Sequence, residues 1–317
     1  MADTYEAPGY DSPSGEDARG AARELLTLRD FLRWAVSSFE AAGLVYGHGA
    51  VDALDEAAFI VLEGLRLPVD RLDPFLEARL LPRERARLAA LIEARIATRK
   101  PAASLVLKAY IRGVPFYVDE RVIVPRSFIG ELLMSDMFSP DNDALVDALT
   151  VENALDLCTG SGALAILAAR VFPNARIDAV ELSPEAAQVA ARNIEEHGEE
   201  ERITLLQGDL FAPVKGRRYD LIITNPPYVD AQAMAELPPE YAHEPAMALG
   251  SGEDGLDIVR RILAQAADHL THEGALICEI GRGRELLEAE YPDLQLTWLD
   301  TQDSAGEVFF IRAADLR

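Results

Sequence analysis

From residue 154 onward the chain alternates short apolar runs with helix-length amphipathic stretches, and this alternation is what most limits its fold. Residues 154–157, 176–180, 203–206, 221–224 and 275–279 each read as a strand. Strands joined through helices must run parallel, because a helical crossover returns the chain to the same end of the sheet. The last two runs, 294–298 and 307–311, have no helix-length segment between them, so they pair antiparallel at the C-terminal edge. The expected class is α/β, with a seven-stranded, doubly wound, Rossmann-like sheet covered by helices on both faces. Ligands of such sheets bind outside the carboxyl ends of the strands, so the chemistry belongs at residues 157–160, 181, 207–211 and 224–228.

Ahead of the sheet the pattern differs. Residues 1–20 are rich in Gly, Pro, Ser, Asp and Glu and read as a disordered tail. Residues 21–103 carry helical spacing, with Leu28, Phe31, Leu32 and Ala35, and later Leu88, Leu91, Ile92 and Ile96, at three- and four-residue steps. Gly47, Gly49, Pro68, Pro74 and Pro82 punctuate these helices, giving a small all-helical domain. Residues 104–126 change again: 104–110, 115–119 and 122–124 read as short strands around Gly113, a β-hairpin linker. The α/β domain then spans residues 127–317, opening with a helix over 128–138 and a polar Pro/Asp/Asn loop.

The net charge is −24 over 317 residues, which argues against general affinity for nucleic acid and suits a basic protein partner. Residues 79–113 depart from this, with nine Arg and Lys against Glu84 and Glu93; they read as a solvated helix face and, secondarily, as a docking surface. The two cysteines, Cys158 and Cys278, fit no metal spacing and read as reduced core residues. No apolar run reaches the length of a membrane span, and the N-terminus lacks a basic-then-apolar signal pattern, so the expectation is a cytoplasmic protein with no membrane partner.

Asp156-Leu157-Cys158-Thr159-Gly160-Ser161-Gly162 runs from a strand through a Gly-rich turn into a helix. Gly160 and Gly162 let the backbone approach a ligand, and Glu181 ends the next strand, where an acid would hold ribose hydroxyls. These residues alone also satisfy a dinucleotide pattern, with Ala165 in the third small position. Asp209, in Gly208-Asp209-Leu210-Phe211 after the third strand, could accept from an adenine amino group while apolar neighbours sandwich the ring. The bland alternatives are that Asp209 caps a turn and that Glu181 is the N-cap before Ser183-Pro184.

Asn225-Pro226-Pro227-Tyr228 closes the fourth strand. An amide or ring-conjugated nitrogen is a poor nucleophile because its lone pair is delocalised. Alkylating it requires acceptors for both N–H groups and a fixed nitrogen face, which an Asn oxygen and a proline-locked carbonyl can provide, with a Tyr covering the flat group. The alternative is a Pro-rich turn. Four such features at the carboxyl ends of successive strands indicate an S-adenosylmethionine-dependent methyltransferase with no metal. The expected cofactor set is Asp156, Cys158, Thr159, Gly160, Ser161, Gly162, Glu181, Asp209, Leu210 and Asn225.

Beyond its tail the chain resembles the protein-(glutamine-N5) methyltransferases, and within them the PrmB branch, which modifies a glutamine of large-subunit ribosomal protein L-3. The residues that carry this are Leu28-Arg29-Asp30-Phe31-Leu32-Arg33-Trp34, Tyr46-Gly47-His48-Gly49, Phe116-Tyr117-Val118-Asp119-Glu120-Arg121-Val122 and Val124-Pro125-Arg126-Ser127. Glu244-Pro245-Ala246-Met247-Ala248-Leu249, Gly252-Glu253-Asp254-Gly255-Leu256-Asp257 and Glu279-Ile280-Gly281 add to it. The sister branch, acting on peptide release factors, usually has Pro where this chain has Ser127; Phe128 departs from the Pro often found next in the L-3 branch. The resemblance implies that Asn225, Pro226, Pro227 and Tyr228 bind the substrate glutamine. Asn225 would accept one N–H and the Pro226 carbonyl the other, with Tyr228 beside the amide. It also implies that the helical domain docks the substrate. A release-factor methyltransferase and a nucleic-acid amino-group methyltransferase are the alternatives. Arg126 and Glu279 have no assigned role, His243 reads as loop packing, and the loop over 250–255 as a flexible connection.

Overall fold

The computed structural model describes residues 15–138, 145–301 and 304–316. The chain divides into two units, one up to Leu107 together with Pro238–His243, the other comprising Lys108–Leu237 and Glu244–Arg317.

The first unit is helical: α1 (Gly15–Glu24), α2 (Leu28–Ala41), α3 (Ala53–Leu65), α4 (Pro82–Thr98) and α5 (Ala102–Val106). Thr27 starts α2 in a reciprocal cap, its hydroxyl accepting from the Asp30 N–H while the Asp30 carboxylate accepts from the Thr27 N–H. The expected apolar stripes meet in one core, with Leu28, Phe31, Ala35, Leu88 and Ile92 buried. Residues 1–14 lie outside the described residues, and the end of the expected tail is helical, as α1. Its Ala18 and Ala21 are buried, which is what orders it.

The basic stretch is not simply a solvated face. Arg95 is fully buried, with its guanidinium 3.1 Å from both Glu56 carboxylate oxygens and 3.2 Å from the Val45 carbonyl. Arg99 reaches Glu240 at 2.9 Å and the Ala42 carbonyl at 2.7 Å, and Arg85 donates to the carbonyls of Arg23 and Leu25. A buried charge persists only when paired, so Glu56 is what lets Arg95 lie in the core, while the half-exposed Arg85 and Arg99 join neighbouring segments through their partners. The His243 Nε2 lies 2.7 Å from the Thr98 carbonyl.

The second unit opens with a two-stranded antiparallel hairpin, β1 (Ala109–Ile111) and β2 (Val114–Phe116). The strand expected over 104–110 begins instead as α5, which starts after Pro101 and ends at Leu107 in a left-handed conformation. A short apolar run cannot distinguish helix from strand by period alone. Residues 122–124 form no strand, and the Val124 N–H donates to the Glu244 carboxylate rather than to a neighbouring strand. The helix expected over 128–138 is α6 (Phe128–Leu133) followed by a short 3-10 turn at Asp136–Phe138; of the polar loop beyond it, residues 139–144 lie outside the described residues.

Seven strands then form one sheet: β3 (Asn153–Leu157), β4 (Arg176–Glu181), β5 (Ile203–Gln207), β6 (Tyr219–Thr224), β7 (Leu270–Glu279), β8 (Thr297–Leu299) and β9 (Val308–Arg312). Their order is β5-β4-β3-β6-β7-β9-β8, parallel through β7 and antiparallel at β9 and β8. The connecting helices are α7 (Ala163–Val171), α8 (Pro184–His197), α9 (Ala231–Glu236), α10 (Asp257–His269) and α11 (Arg284–Glu290). The central strands are buried on both faces, which is why they read as unbroken apolar runs. Sequence order reverses between β3 and β6, and that switch point opens the crevice in which the candidate site lies.

Candidate active site

At the end of β3 the backbone turns through three left-handed residues, Cys158 (φ 58°), Gly160 (φ 57°) and Gly162 (φ 80°), before α7 begins. A Cβ on Gly162 would stand 3.3 Å from the Ala190 Cβ of α8, so this glycine serves close helix packing. A Cβ on Gly160 would meet only the Cys158 carbonyl, at 4.0 Å; it borders open space where a ligand can lie against the backbone.

Asp156 and Glu181 hold this turn. Asp156 is fully buried, and its Oδ2 accepts from the Thr159 hydroxyl and, at 3.0 Å, from the Ala165 N–H at the start of α7. Burial pushes its carboxyl up to about 7, against those two hydrogen bonds. Glu181 accepts the Gly160 N–H on one oxygen and the Ser183 N–H on the other, each at 2.8 Å. Ser183, not Glu181, is the N-cap of α8, with Pro184 in its first turn.

A cleft of about 870 Å³, counting its mouth, opens above these residues. Of the expected residues, Cys158, Gly160, Glu181, Asp209, Leu210, Asn225 and Pro227 line it. Asp156, Thr159, Ser161, Gly162, Pro226 and Tyr228 are not among its lining residues. The Asp209 carboxylate is paired with Arg261 of α10 at 2.6 Å, which orients it, and Leu210 and Ile258 flank it with apolar surface. A carboxylate at the end of β4, an oriented acid after β5 and apolar walls fit the ribose, adenine amino group and ring faces of an adenosine-containing cofactor.

Sequence reasoning left several wall residues without a role. Arg121, Val122 and Ile123 line one side and Pro245 and Met247 another. Glu244 ties the two sides: it accepts the Val124 N–H at 2.7 Å and grips Arg126 through both oxygens at 2.8 and 2.7 Å. Arg126 is therefore a structural ion pair ordering the wall, a bidentate geometry. Farther along, the Arg121 guanidinium beside Asp119 holds that carboxyl down at about 2. The spacing between Arg126 and Glu244, over a hundred residues, leaves no local signal of their pairing.

The loop after β6 completes the cleft. Asn225 is half-buried at the lining, and neither its side-chain amide nor the Pro226 carbonyl has a hydrogen-bond partner among the described residues. Tyr228 is held on three sides. Its hydroxyl donates to Glu279 at 3.1 Å, its ring packs on Gly281, and its carbonyl abuts Gly255 so closely that any Cβ there would collide with it. Burial first, then the Glu279 charge, raises the phenol well above its usual range, so its proton stays on. The loop over 250–255 is thus a packed support of this segment, with the Val229 N–H donating to Leu249 and the Ser251 N–H to Val229.

Comparison with known proteins bears on this geometry. The family model for the methyltransferase small domain matches residues 135–240. A ribosomal protein uL3 glutamine methyltransferase of Bradyrhizobium diazoefficiens is 60% identical over 296 residues, 92% of each chain. The chain belongs to the ribosomal protein uL3 glutamine methyltransferase family. Another family member, from Bordetella pertussis, is 52% identical over 93% of this chain and 97% of its own length. Among solved structures, a methyltransferase from Pyrococcus furiosus covers 70% of this chain and 97% of its own, with 19% identity and a TM-score of 0.47, too loose a likeness to add to the assignment. Membership of this methyltransferase family decides against the dinucleotide reading that the Gly-rich turn had left open.

Proposed function

We propose that this protein methylates the side-chain amide nitrogen of a glutamine in ribosomal protein uL3, with S-adenosylmethionine as donor. The observation that carries the site assignment is a pair of acceptors with no hydrogen-bond partner among the described residues: the Asn225 side chain, which lines the cleft, and the carbonyl of the adjacent Pro226, just past the carboxyl end of β6. When bound, S-adenosylmethionine supplies a sulfonium-activated methyl group. Glu181, Asp209 and the Gly160 turn are the residues that would hold it.

The protein's own task is to make a weak nucleophile reactive by placement. Asn225 accepts one amide N–H and the Pro226 carbonyl the other, which fixes the amide plane and turns one nitrogen face toward the cleft. Tyr228, locked from behind, packs beside the amide. Orientation of this kind can supply roughly 7–11 kcal/mol of barrier lowering in favourable cases. On transfer the nitrogen would gain the methyl as the donor's carbon–sulfur bond breaks to leave a neutral thioether, and it would give up one proton to solvent, so that none of the four loop residues is needed as a general base.

The helical unit is the substrate-docking part in this reading, and a net charge of −24 suits a basic ribosomal protein. A ribosomal target supports a cytoplasmic site of action. Three of the nine cations in the basic stretch, Arg85, Arg95 and Arg99, have partners within the helical unit, which weakens the support for a nucleic-acid substrate. The test offers isotope-labelled S-adenosylmethionine with purified uL3, a release factor and ribosomal RNA, then locates the label by mass spectrometry. Label on a uL3 glutamine is expected; label on RNA or release factor alone would overturn the reading.

A further inference from the structure

Glu279 ends β7 and is a fully buried carboxylate that the proposed chemistry leaves unused. A carboxylate buried for no purpose is costly, so what it binds is informative. One oxygen accepts from the Ser127 hydroxyl at 2.7 Å and from the Phe128 N–H at 2.9 Å. The other accepts from the Tyr228 hydroxyl at 3.1 Å. All three partners are donors, and together they join the N-terminus of α6 to the loop after β6. Burial raises its carboxyl to about 7, against the pull of these donors.

The arrangement has a geometric logic. A tyrosine ring pivots about its Cα–Cβ bond, so the hydroxyl is the point at which a single contact best fixes its direction. Gly281 sits under the ring, where an added Cβ would lie 2.8 Å from two ring carbons, and Gly255 sits against the Tyr228 carbonyl. Gly281 thus bounds the ring on one side, Gly255 bounds the backbone, and Glu279 fixes the hydroxyl end.

We propose that Glu279 is a positioning residue for methyl transfer: it aims the Tyr228 ring beside the substrate amide and ties that aim to the start of α6 through Ser127. The inference rests on the reading that the loop from Asn225 to Tyr228 holds the glutamine. Its neutral isostere discriminates position from charge. In Glu279→Gln the carbonyl oxygen keeps Ser127 and Phe128, and the amide N–H donates to the Tyr228 oxygen, so the ring stays in place without the negative charge.

The experiment measures kcat and KM for uL3, and Kd for S-adenosylmethionine by calorimetry, in Glu279→Ala, Glu279→Gln, Tyr228→Phe, Glu279→Ala/Tyr228→Phe and Asn225→Ala. Glu279→Ala and Tyr228→Phe are each expected to lower kcat by about tenfold, the worth of one orienting hydrogen bond, with cofactor Kd within about twofold of the parent. Glu279→Gln should recover to within about threefold, and the double variant should be no slower than Glu279→Ala alone, because both changes remove one interaction. Full turnover in Tyr228→Phe overturns the proposal, even if Glu279→Ala fails to fold. So does a Glu279→Gln variant as slow as Glu279→Ala, which would mean that charge and not aim is what matters. Turnover in Asn225→Ala would instead sink the loop reading itself, separately from Glu279.

Discussion

Gly281→Ala is a perturbation whose effect can be worked out from the structure. The new Cβ would lie 2.8 Å from the Cδ2 and Cε2 atoms of Tyr228, whereas carbon atoms rest at about 3.5–4.0 Å. The ring must therefore withdraw by roughly 0.7–1.2 Å, enough to break its 3.1 Å hydrogen bond to Glu279. Gly281 also has φ 53°, a left-handed conformation that costs an alanine about 1–2 kcal/mol. A misplacement of about 1 Å can cost on the order of 100-fold in rate, so kcat for uL3 should fall by about that factor. The cofactor cleft does not include Gly281, so the Kd for S-adenosylmethionine should hold. The backbone term should lower Tm by roughly 2–8 °C, leaving a folded enzyme to assay. Steady-state methylation of purified uL3, cofactor calorimetry and a thermal melt measure all three. A folded Gly281→Ala enzyme with kcat within about threefold of the parent would refute the argument that the placement of Tyr228 controls the rate.

Two further substitutions probe the scaffold. Arg95→Ala leaves the buried Glu56 carboxylate without its cation, while Glu240 keeps Arg99, and should cost about 3–5 kcal/mol by denaturant unfolding; a loss below about 1 kcal/mol would contradict the ion pair's structural role. Asp156 has its carboxyl raised to about 7 in the folded state against about 4 when unfolded, so the folded protein binds the extra proton between those values. Its contribution to stability is thus fully present in acid and is lost as pH rises toward 7. Asp156→Asn should remove that slope, gaining on the parent at pH 8 relative to pH 5.5 in urea unfolding; an unchanged slope would show that Asp156 does not titrate there.

The central sheet was legible because parallel strands buried on both faces must be apolar throughout, and their helical connections impose the order. Edges were less so. The strand expected over 294–298 appears at Thr297–Leu299, and part of the run over 104–110 is helical, since short apolar segments take their state from tertiary packing. Within the site, the residues facing the cleft could be placed from strand ends alone: Gly160, Glu181, Asp209 and Asn225. Their supports could not. Glu279 lies 51 residues from Tyr228, and Glu244 lies 118 from Arg126, distances at which no periodicity links two positions. Within the basic stretch, Arg79, Arg83 and Arg87 are exposed as a solvated face requires, and Arg95 alone departs from it for the same reason. A buried Arg95 and a solvated arginine look alike until their carboxylates are located.

The central claim is that the loop after β6 presents a glutamine amide for methylation, and Asn225→Ala tests it most directly. Intact-mass analysis of uL3 after incubation with S-adenosylmethionine, alongside calorimetric binding of that cofactor, separates placement of the substrate from capture of the donor. The expected result is loss of uL3 methylation with cofactor binding preserved. Methylation of uL3 at the parental rate by Asn225→Ala would contradict it.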